Sequence, residues 1–239
     1  MSRLRIVIPT KNEEAYLPKL LQSIKEQTFK DLEIIVADAN SEDKTRKIAK
    51  LYDCKIVEGG PADVARNNGV NGCNSPLLCF IDSDVYFQNP NFLELSLREF
   101  DRRDLDIAGT IQKPLKTGHF YRDLFYTFWY EKDNILIPLF EKTKSPFMQN
   151  VMFMKTVVHK NVGGFPPYEF GEDSAIAKKA VAKGYHFGIL KKPGKVMIAP
   201  RRFEEKGILK TVFQFLYYNG RIILGHQFKR RNSRINYWK

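Results

Sequence analysis

The sequence is short of cysteine and of long apolar runs, and its acidic residues thin out towards the end. Its three cysteines, Cys54, Cys73 and Cys79, fall at no metal-binding spacing and cannot all pair. That excludes a disulfide framework and suits a reduced, cytoplasmic setting. No run nears the ~20 apolar residues that cross a bilayer, and Met1-Ser2-Arg3-Leu4-Arg5 leads straight into a strand-like run with no signal-peptide pattern. Internal repeats, low-complexity tracts and linkers are missing too, so the 239 residues read as one domain with a tail. From Lys191 onward, thirteen lysines and arginines face only Glu204 and Glu205, which puts +11 of the formal net charge of +12 at the end of the chain. The basicity therefore belongs to the tail, and no nucleic-acid-binding motif accompanies it.

What is present is a regular succession of strands and helices. Arg3–Pro9 is an apolar, β-branched run closed by proline. Thr10-Lys11-Asn12-Glu13 fits the capping-box pattern ahead of Leu17, Leu20, Leu21 and Ile24 at helical spacing. Leu32–Ala37 reads as a second buried strand ended by Asp38, and Asn40-Ser41-Glu42-Asp43 opens a helix through Leu51. Cys54–Val57 makes a third strand, and Gly59-Gly60-Pro61 leads into the segment Ala62–Val70. Leu77–Ile81 is an apolar run between a turn signal, Asn74-Ser75-Pro76, and two carboxylates, Asp82 and Asp84. Further on, the pattern predicts a helix from Asn89-Pro90 to Phe100 and a strand over Asp106–Ile111. Lys113–Ser145 reads as irregular and aromatic-rich. Val151–Met154, Tyr185–Leu190 and Val196–Ala199 read as strands, and Gly171-Glu172-Asp173 opens a helix over Ala175–Lys183 closed by Gly184. The fold class expected is α/β, a mostly parallel central sheet with helices on both faces over residues 1–200. A basic amphipathic segment then covers residues 201–239.

In such sheets ligands bind beyond the carboxyl ends of the strands. Polar residues gather there: Thr10, Asn12 and Glu13, then Asp38, then Asp82 and Asp84. If the strand ran through them, Asp82 and Asp84 would share a face while Ser83 pointed away. Two oxygen donors on one side suit a hard divalent ion that bridges to a diphosphate, although an Asp-Ser-Asp triplet also reads as a solvated loop. The turn Pro9-Thr10-Lys11-Asn12 contains no glycine, so the dinucleotide fingerprint is absent and an NAD enzyme is disfavoured. A nucleotide with base and ribose over the first two strands and its diphosphate at Asp82/Asp84 remains open. Arg66 could serve its base or phosphate, and alone reads as a helix-surface arginine.

The stretches IVIPTKNEEAYL, EIIVADANSEDKT, ADVARNNGV, FIDSDV and VGGF with GEDSAIAKKAVAKGY, in order from Arg3 to Tyr185, together resemble the family 2 glycosyltransferases with the GT-A fold. The resemblance implies an inverting, metal-dependent transfer of a sugar from a UDP- or GDP-linked donor, using Mn²⁺ or Mg²⁺. It implies that Pro9, Thr10, Glu13, Asp38 and Arg66 contact the nucleoside, that Asp84 binds the metal, and that Asp82 reaches ribose or metal. Asp173 of the Glu172-Asp173 pair would be the general base. Alone, that pair reads as acids favouring a helix N-terminus.

Where some relatives offer a metal-binding histidine, this chain has Ala199-Pro200-Arg201-Arg202-Phe203, so Arg201 and Arg202 are expected to hold the diphosphate or an acceptor phosphate. Gln214 is followed by Phe-Leu-Tyr-Tyr, so the Gln-x-x-Arg-Trp signature of membrane-bound synthases is absent. The basic, aromatic run Gly207–Phe228 is the recipe for lying on an anionic membrane surface, or for a terminal helix packed on the sheet. A lipid-linked or cell-envelope glycan acceptor at the cytoplasmic face is therefore expected, with a polyprenyl phosphate acceptor as the alternative. Nucleic acid is not an expected partner.

Overall fold

The computed structural model describes residues 2–148, 150–168 and 171–223. Four strands run parallel on one side of the main sheet: β1 (Leu4–Thr10), β2 (Leu32–Asp38), β3 (Lys55–Glu58) and β4 (Leu77–Ile81). A small sheet holds β5 (Val85–Tyr86), β7 (Gln112–Pro114) and β10 (Val196–Ile198). The main sheet is completed by β6 (Ile107–Thr110), β8 (Val151–Lys155) and β9 (Phe187–Leu190), in the order β3-β2-β1-β4-β8-β6-β9. Only β8 runs against its neighbours β4 and β6, so the sheet is mostly parallel as expected.

The strands sort their side chains by alternation. Leu4, Ile6 and Ile8 of β1 join one core with Leu77, Cys79 and Ile81 of β4, whereas Val7, Leu78 and Phe80 enter the other. Helices α1 (Leu17–Lys25) and α4 (Phe92–Arg102) cover the first core. α3 (Ala62–Val70), α6 (Thr156–Val162) and α7 (Glu172–Ala182) cover the second. α3 lies unusually close to β1. A Cβ at Gly69 would fall 2.3 Å from Val7 Cγ1, so any side chain there would push the helix, and Arg66 with it, off the sheet.

Two sequence expectations give way. The capping box does not form. α1 starts after Tyr16 with no side-chain cap, Thr10 stays in β1, and the Glu13 amide donates to Thr45 Oγ1 at 2.7 Å. The loop before α1 is instead stapled to the loop before α2 (Thr45–Leu51). Asn12 N donates to Ser41 Oγ at 2.9 Å, and Glu42 N donates back to Asn12 Oδ1 at 2.9 Å. Reciprocal bonds between the two loops satisfy the donors that a cap would have served.

The aromatic stretch 113–145 is also not irregular. It contains α5 (Phe120–Leu139), a helix of 20 residues. Apolar side chains occupy both of its sides, so it shows no amphipathic period from which to read it. Tyr126, Tyr130 and Ile137 face the core, whereas Tyr121, Leu124 and Phe128 are exposed. After β10, α8 (Arg201–Lys206) and α9 (Ile208–Ile223) pack back on the domain through Phe203, Ile208, Val212 and Phe215. The end of the predicted tail segment, from residue 224, lies outside the described residues.

Candidate active site

At the carboxyl ends of β1 and β4 lies a cleft of about 190 Å³. Its floor carries Asp82, Ser83 and Asp84, with Pro9 beside them. Arg66, Glu172 and Asp173 form one side, and Arg201, Arg202, Trp129, Tyr130, Phe203 and Phe215 form the other. The two aspartates meet there for a different reason than strand alternation. β4 ends at Ile81, Asp82 N is held by Asn150 O at 3.1 Å, and Val85 N donates to Asp82 O at 3.2 Å. The pair therefore sits on a turn, and Ser83 lines the same cleft instead of pointing away.

Asp84 is largely desolvated, its side chain 14 % exposed, and Arg201 Nε lies 3.9 Å from it. Burial pushes its carboxyl up to about 7, and the neighbouring Asp82 and Glu13 charges act in the same direction against Arg201 and Arg202. A second cation beside it would relieve that cost. Two carboxylates facing a cleft suit a hard divalent ion whose other positions go to ligand oxygens and water. Among the described residues no group of three or more His, Cys, Asp or Glu side chains is arranged to hold an ion by itself.

Arg66 is not on the helix surface. It is 4 % exposed and its guanidinium is the hub of three carboxylates: Asp82 Oδ1 at 2.8 Å, Asp173 Oδ1 at 3.3 Å, and Glu172 Oε1, the tightest of the three. Packing against the Phe165 ring, 5.5 Å from its centroid, completes the surroundings. Its Nε has no hydrogen-bond partner among the described residues. Gly171, at φ 76°, turns the chain into α7 so that Glu172 and Asp173 both occupy the first turn. Burial raises the Asp173 carboxyl, and the Arg66 charge opposes that rise without cancelling it.

Thr10, Glu13 and Asp38 stand behind the cleft wall. Thr10 and Asp38 face each other across β1 and β2, and Thr10 Oγ1 donates to Asp38 Oδ1 at 3.1 Å. Ser41 N and Arg46 Nη1 bond the other Asp38 oxygen at 3.1 and 3.0 Å. Both Glu13 carboxylate oxygens accept from Arg201 Nη1 at 2.8 Å, which fixes the arginine between Glu13 and Asp84. Sequence reading missed the aromatic side of the cleft, Trp129, Tyr130 and Phe215, together with Asp133. The clustering of aromatics between Phe120 and Tyr130 at helical spacings was the available signal.

The model of glycosyl transferase family 2 matches residues 5–162. This chain belongs to that family. Its curated relatives include glycosyltransferase GlyA of Streptococcus pneumoniae, 31% identical over 146 residues, which are 56% of this chain and 21% of the relative. The GalNAc(5)-diNAcBac-PP-undecaprenol beta-1,3-glucosyltransferase of Campylobacter jejuni is 34% identical over 94 residues, 35% of this chain and 30% of that protein. The chain thus spans less than a third of the length of either. Among solved structures, mannosyltransferase PcManGT from Pyrobaculum calidifontis, in complex with GDP-Man and Mn²⁺, superposes with a TM-score of 0.67 at 18% identity, covering 93% of this chain and 64% of that one. Staphylococcus aureus TarS 1–349 with UDP-GlcNAc gives 0.62 at 21% identity, over 84% and 59%. At those identities the likeness is one of fold, and the fold is of the GT-A type.

Proposed function

We propose that this chain is an inverting glycosyltransferase that moves a sugar from a UDP- or GDP-linked donor to an acceptor hydroxyl on a lipid-linked or cell-envelope glycan, at the cytoplasmic face of the membrane. The observation that carries the reading is one cleft holding both a carboxylate pair, Asp82 and the largely buried Asp84, and a further carboxylate, Asp173, tied to a buried arginine. Similar folds bound to GDP-Man with Mn²⁺ and to UDP-GlcNAc support the donor class. The PP-undecaprenol in the name of the Campylobacter relative supports a lipid-linked acceptor.

In this reading the nucleoside lies over β1 and β2, against Pro9. Asp38, locked by Thr10, Ser41 and Arg46, shapes its seat. Asp84 and Asp82 would hold Mn²⁺ or Mg²⁺, which when bound neutralises charge on the leaving diphosphate. Arg201, kept in place by Glu13, and Arg202 add positive charge on the same side. The acceptor oxygen attacks the anomeric carbon from the opposite face. The bond to the diphosphate oxygen breaks with its electron pair going to the diphosphate, and the hydroxyl proton passes to Asp173. A carboxyl raised above its ordinary range is the better proton acceptor. Arg66 holds Asp173 at the required place, and Glu172 supplies the buried arginine with a counter-charge of its own.

A polyprenyl phosphate acceptor is the second reading, favoured by Arg201 and Arg202 lying beside the rings of Trp129, Phe203 and Phe215. Release of nucleoside diphosphate from a UDP- or GDP-sugar, with Mn²⁺ and a lipid-linked glycan present, tests the main reading. Release should depend on the metal and disappear in Asp84→Asn. Equal release by wild type and Asp84→Asn would refute the assignment.

A further inference from the structure

The helices that wall the cleft turn a second apolar surface outward. On α5, Tyr121, Leu124, Phe128, Ile135 and Leu139 recur at spacings of three, four and seven residues, so they form one stripe opposite the buried Tyr126, Tyr130 and Ile137. Tyr121 is 84 % and Phe128 69 % exposed. α9 repeats the arrangement. Leu209, Phe213 and Leu216 lie at i, i+4 and i+7 on its outer side, Leu209 at 75 % and Phe213 at 70 % exposure, while Val212 and Phe215 pack inward. The two helices are neighbours: the Trp129 and Phe215 rings are 6.1 Å apart, and both pack on Phe203 of α8. Two stripes of large exposed side chains on neighbouring helices exceed the scattered apolar residues normal on a soluble surface and mark an interaction site.

Charge selects the partner. Residues 207–239 contain seven lysines and arginines and no aspartate or glutamate. Arg122 of α5, Lys210 of α9 and Lys206 at the end of α8 between them are exposed. Against this, Glu204 and Glu205 are the exposed acids of α8, Glu131 is ion-paired to Lys195, and Asp123 is occupied by the Thr117 and Gly118 amides. A second copy would bring the same exposed Arg122, Lys206 and Lys210 to the contact, where like charges oppose each other. An anionic lipid surface supplies both of the complements required, negative headgroups and an apolar boundary for the aromatic and leucine side chains.

We propose that the outer face of α5 and α9 is a docking surface for an anionic membrane, entered to the depth of the headgroups, with the basic residues at its rim. Since the inner faces of the same helices line the cleft with Trp129, Tyr130 and Phe215, docking sets the cleft beside the bilayer surface. The docking stands on its own. Its consequence, that the acceptor is drawn from the membrane with its glycan in the cleft and its lipid left in the bilayer, rests on the glycosyl-transfer reading.

Flotation of the full chain with vesicles of phosphatidylcholine alone, and of phosphatidylcholine mixed with phosphatidylglycerol, tests the proposal. The wild type should float with the anionic vesicles and lose that binding in high salt. The double substitution Phe128→Ser and Phe213→Ser, at exposed positions, should weaken binding by about tenfold or more while leaving the melting temperature unchanged. No flotation of the wild type would overturn the proposal, as would flotation unaffected by the substitutions. Self-association that the substitutions abolish, without vesicle binding, would assign the face to a second copy and overturn it as well. Nucleoside diphosphate release with a water-soluble acceptor, measured in the same variant, separates the two readings. Binding lost with release retained leaves the transfer reading standing, and release absent from the wild type with binding intact refutes transfer alone.

Discussion

On the β1–β2 side of the cleft, polar side chains hold one another. Thr10, Ser41 and Arg46 fix Asp38, and two loops exchange backbone-to-side-chain bonds through Asn12, Ser41 and Thr45. On the α5–α9 side the wall is made of rings: Trp129, Phe203 and Phe215 within about 6 Å of one another, backed by Phe125, with Lys132 over Trp129 at 3.8 Å. The first side fixes a seat by directional bonds, which are lost steeply when geometry shifts. The second offers area and polarisability with little direction, which suits an acceptor that arrives partly in lipid. Asp84 and Arg201 stand where the two sides meet.

The sharpest test of this division is Asp173→Asn. With a hydroxyl acceptor, removing the base should lower turnover by about 10²–10⁴-fold, with little change in donor KM. Turnover nearly intact would mean that the acceptor is already an anion, and would move the phosphate reading into first place.

Arg66→Met comes next. It leaves Glu172, Asp173 and Asp82 without their shared cation, and should destabilise the fold by roughly 3–5 kcal/mol in a denaturant titration. Arg66→Lys should recover only part of this, since one ammonium cannot serve three carboxylates at the guanidinium's spacing. An unchanged midpoint in Arg66→Met would show that the three acids do not depend on it.

A third test lies away from the cleft. His159 packs against Phe80 and Phe165, and burial lowers its pKa to about 4. The folded ring stays neutral where the unfolded one takes a proton. The stability from His159 is therefore complete above its ordinary pKa of about 6.5 and is lost as pH falls from there towards 4. The loss should be on the order of 2–3 kcal/mol, and His159→Gln should remove that slope between pH 4 and 6.5. A slope that persists in the variant would place the acid sensitivity elsewhere. The smallest effect is expected for Thr10→Val, which deletes the hydroxyl held by Asp38. It should cost about 1 kcal/mol and leave Asp38 bound by Ser41 and Arg46.

The same contrast explains what the sequence made legible. The β1–β2 side follows the grammar of buried strands and turns: apolar runs such as LEIIVA end in a carboxylate, and the parallel register sets Asp38 beside Thr10. Asp82, Asp84 and Asp173 could be picked out because each ends a strand or starts a helix. The burial of Arg66 could not, since nothing local in ADVARNNGV distinguishes a helix face turned to solvent from one turned to three acids. The decisive contact comes from α7, over a hundred residues later. Nor was α5 legible, because a helix apolar on both sides carries no period. Its outward apolar stripe made it look irregular.

The central claim, that Asp82 and Asp84 seat a nucleotide-diphosphate sugar through a divalent ion, is tested most directly by thermal unfolding with UDP-, GDP- and dTDP-sugars, each with and without Mn²⁺. One nucleotide should stabilise the protein in the presence of the ion, by about 2.7 kcal/mol at a hundredfold excess over Kd, and Asp84→Asn should abolish the effect. No stabilisation by any of the three, with or without Mn²⁺, would contradict it.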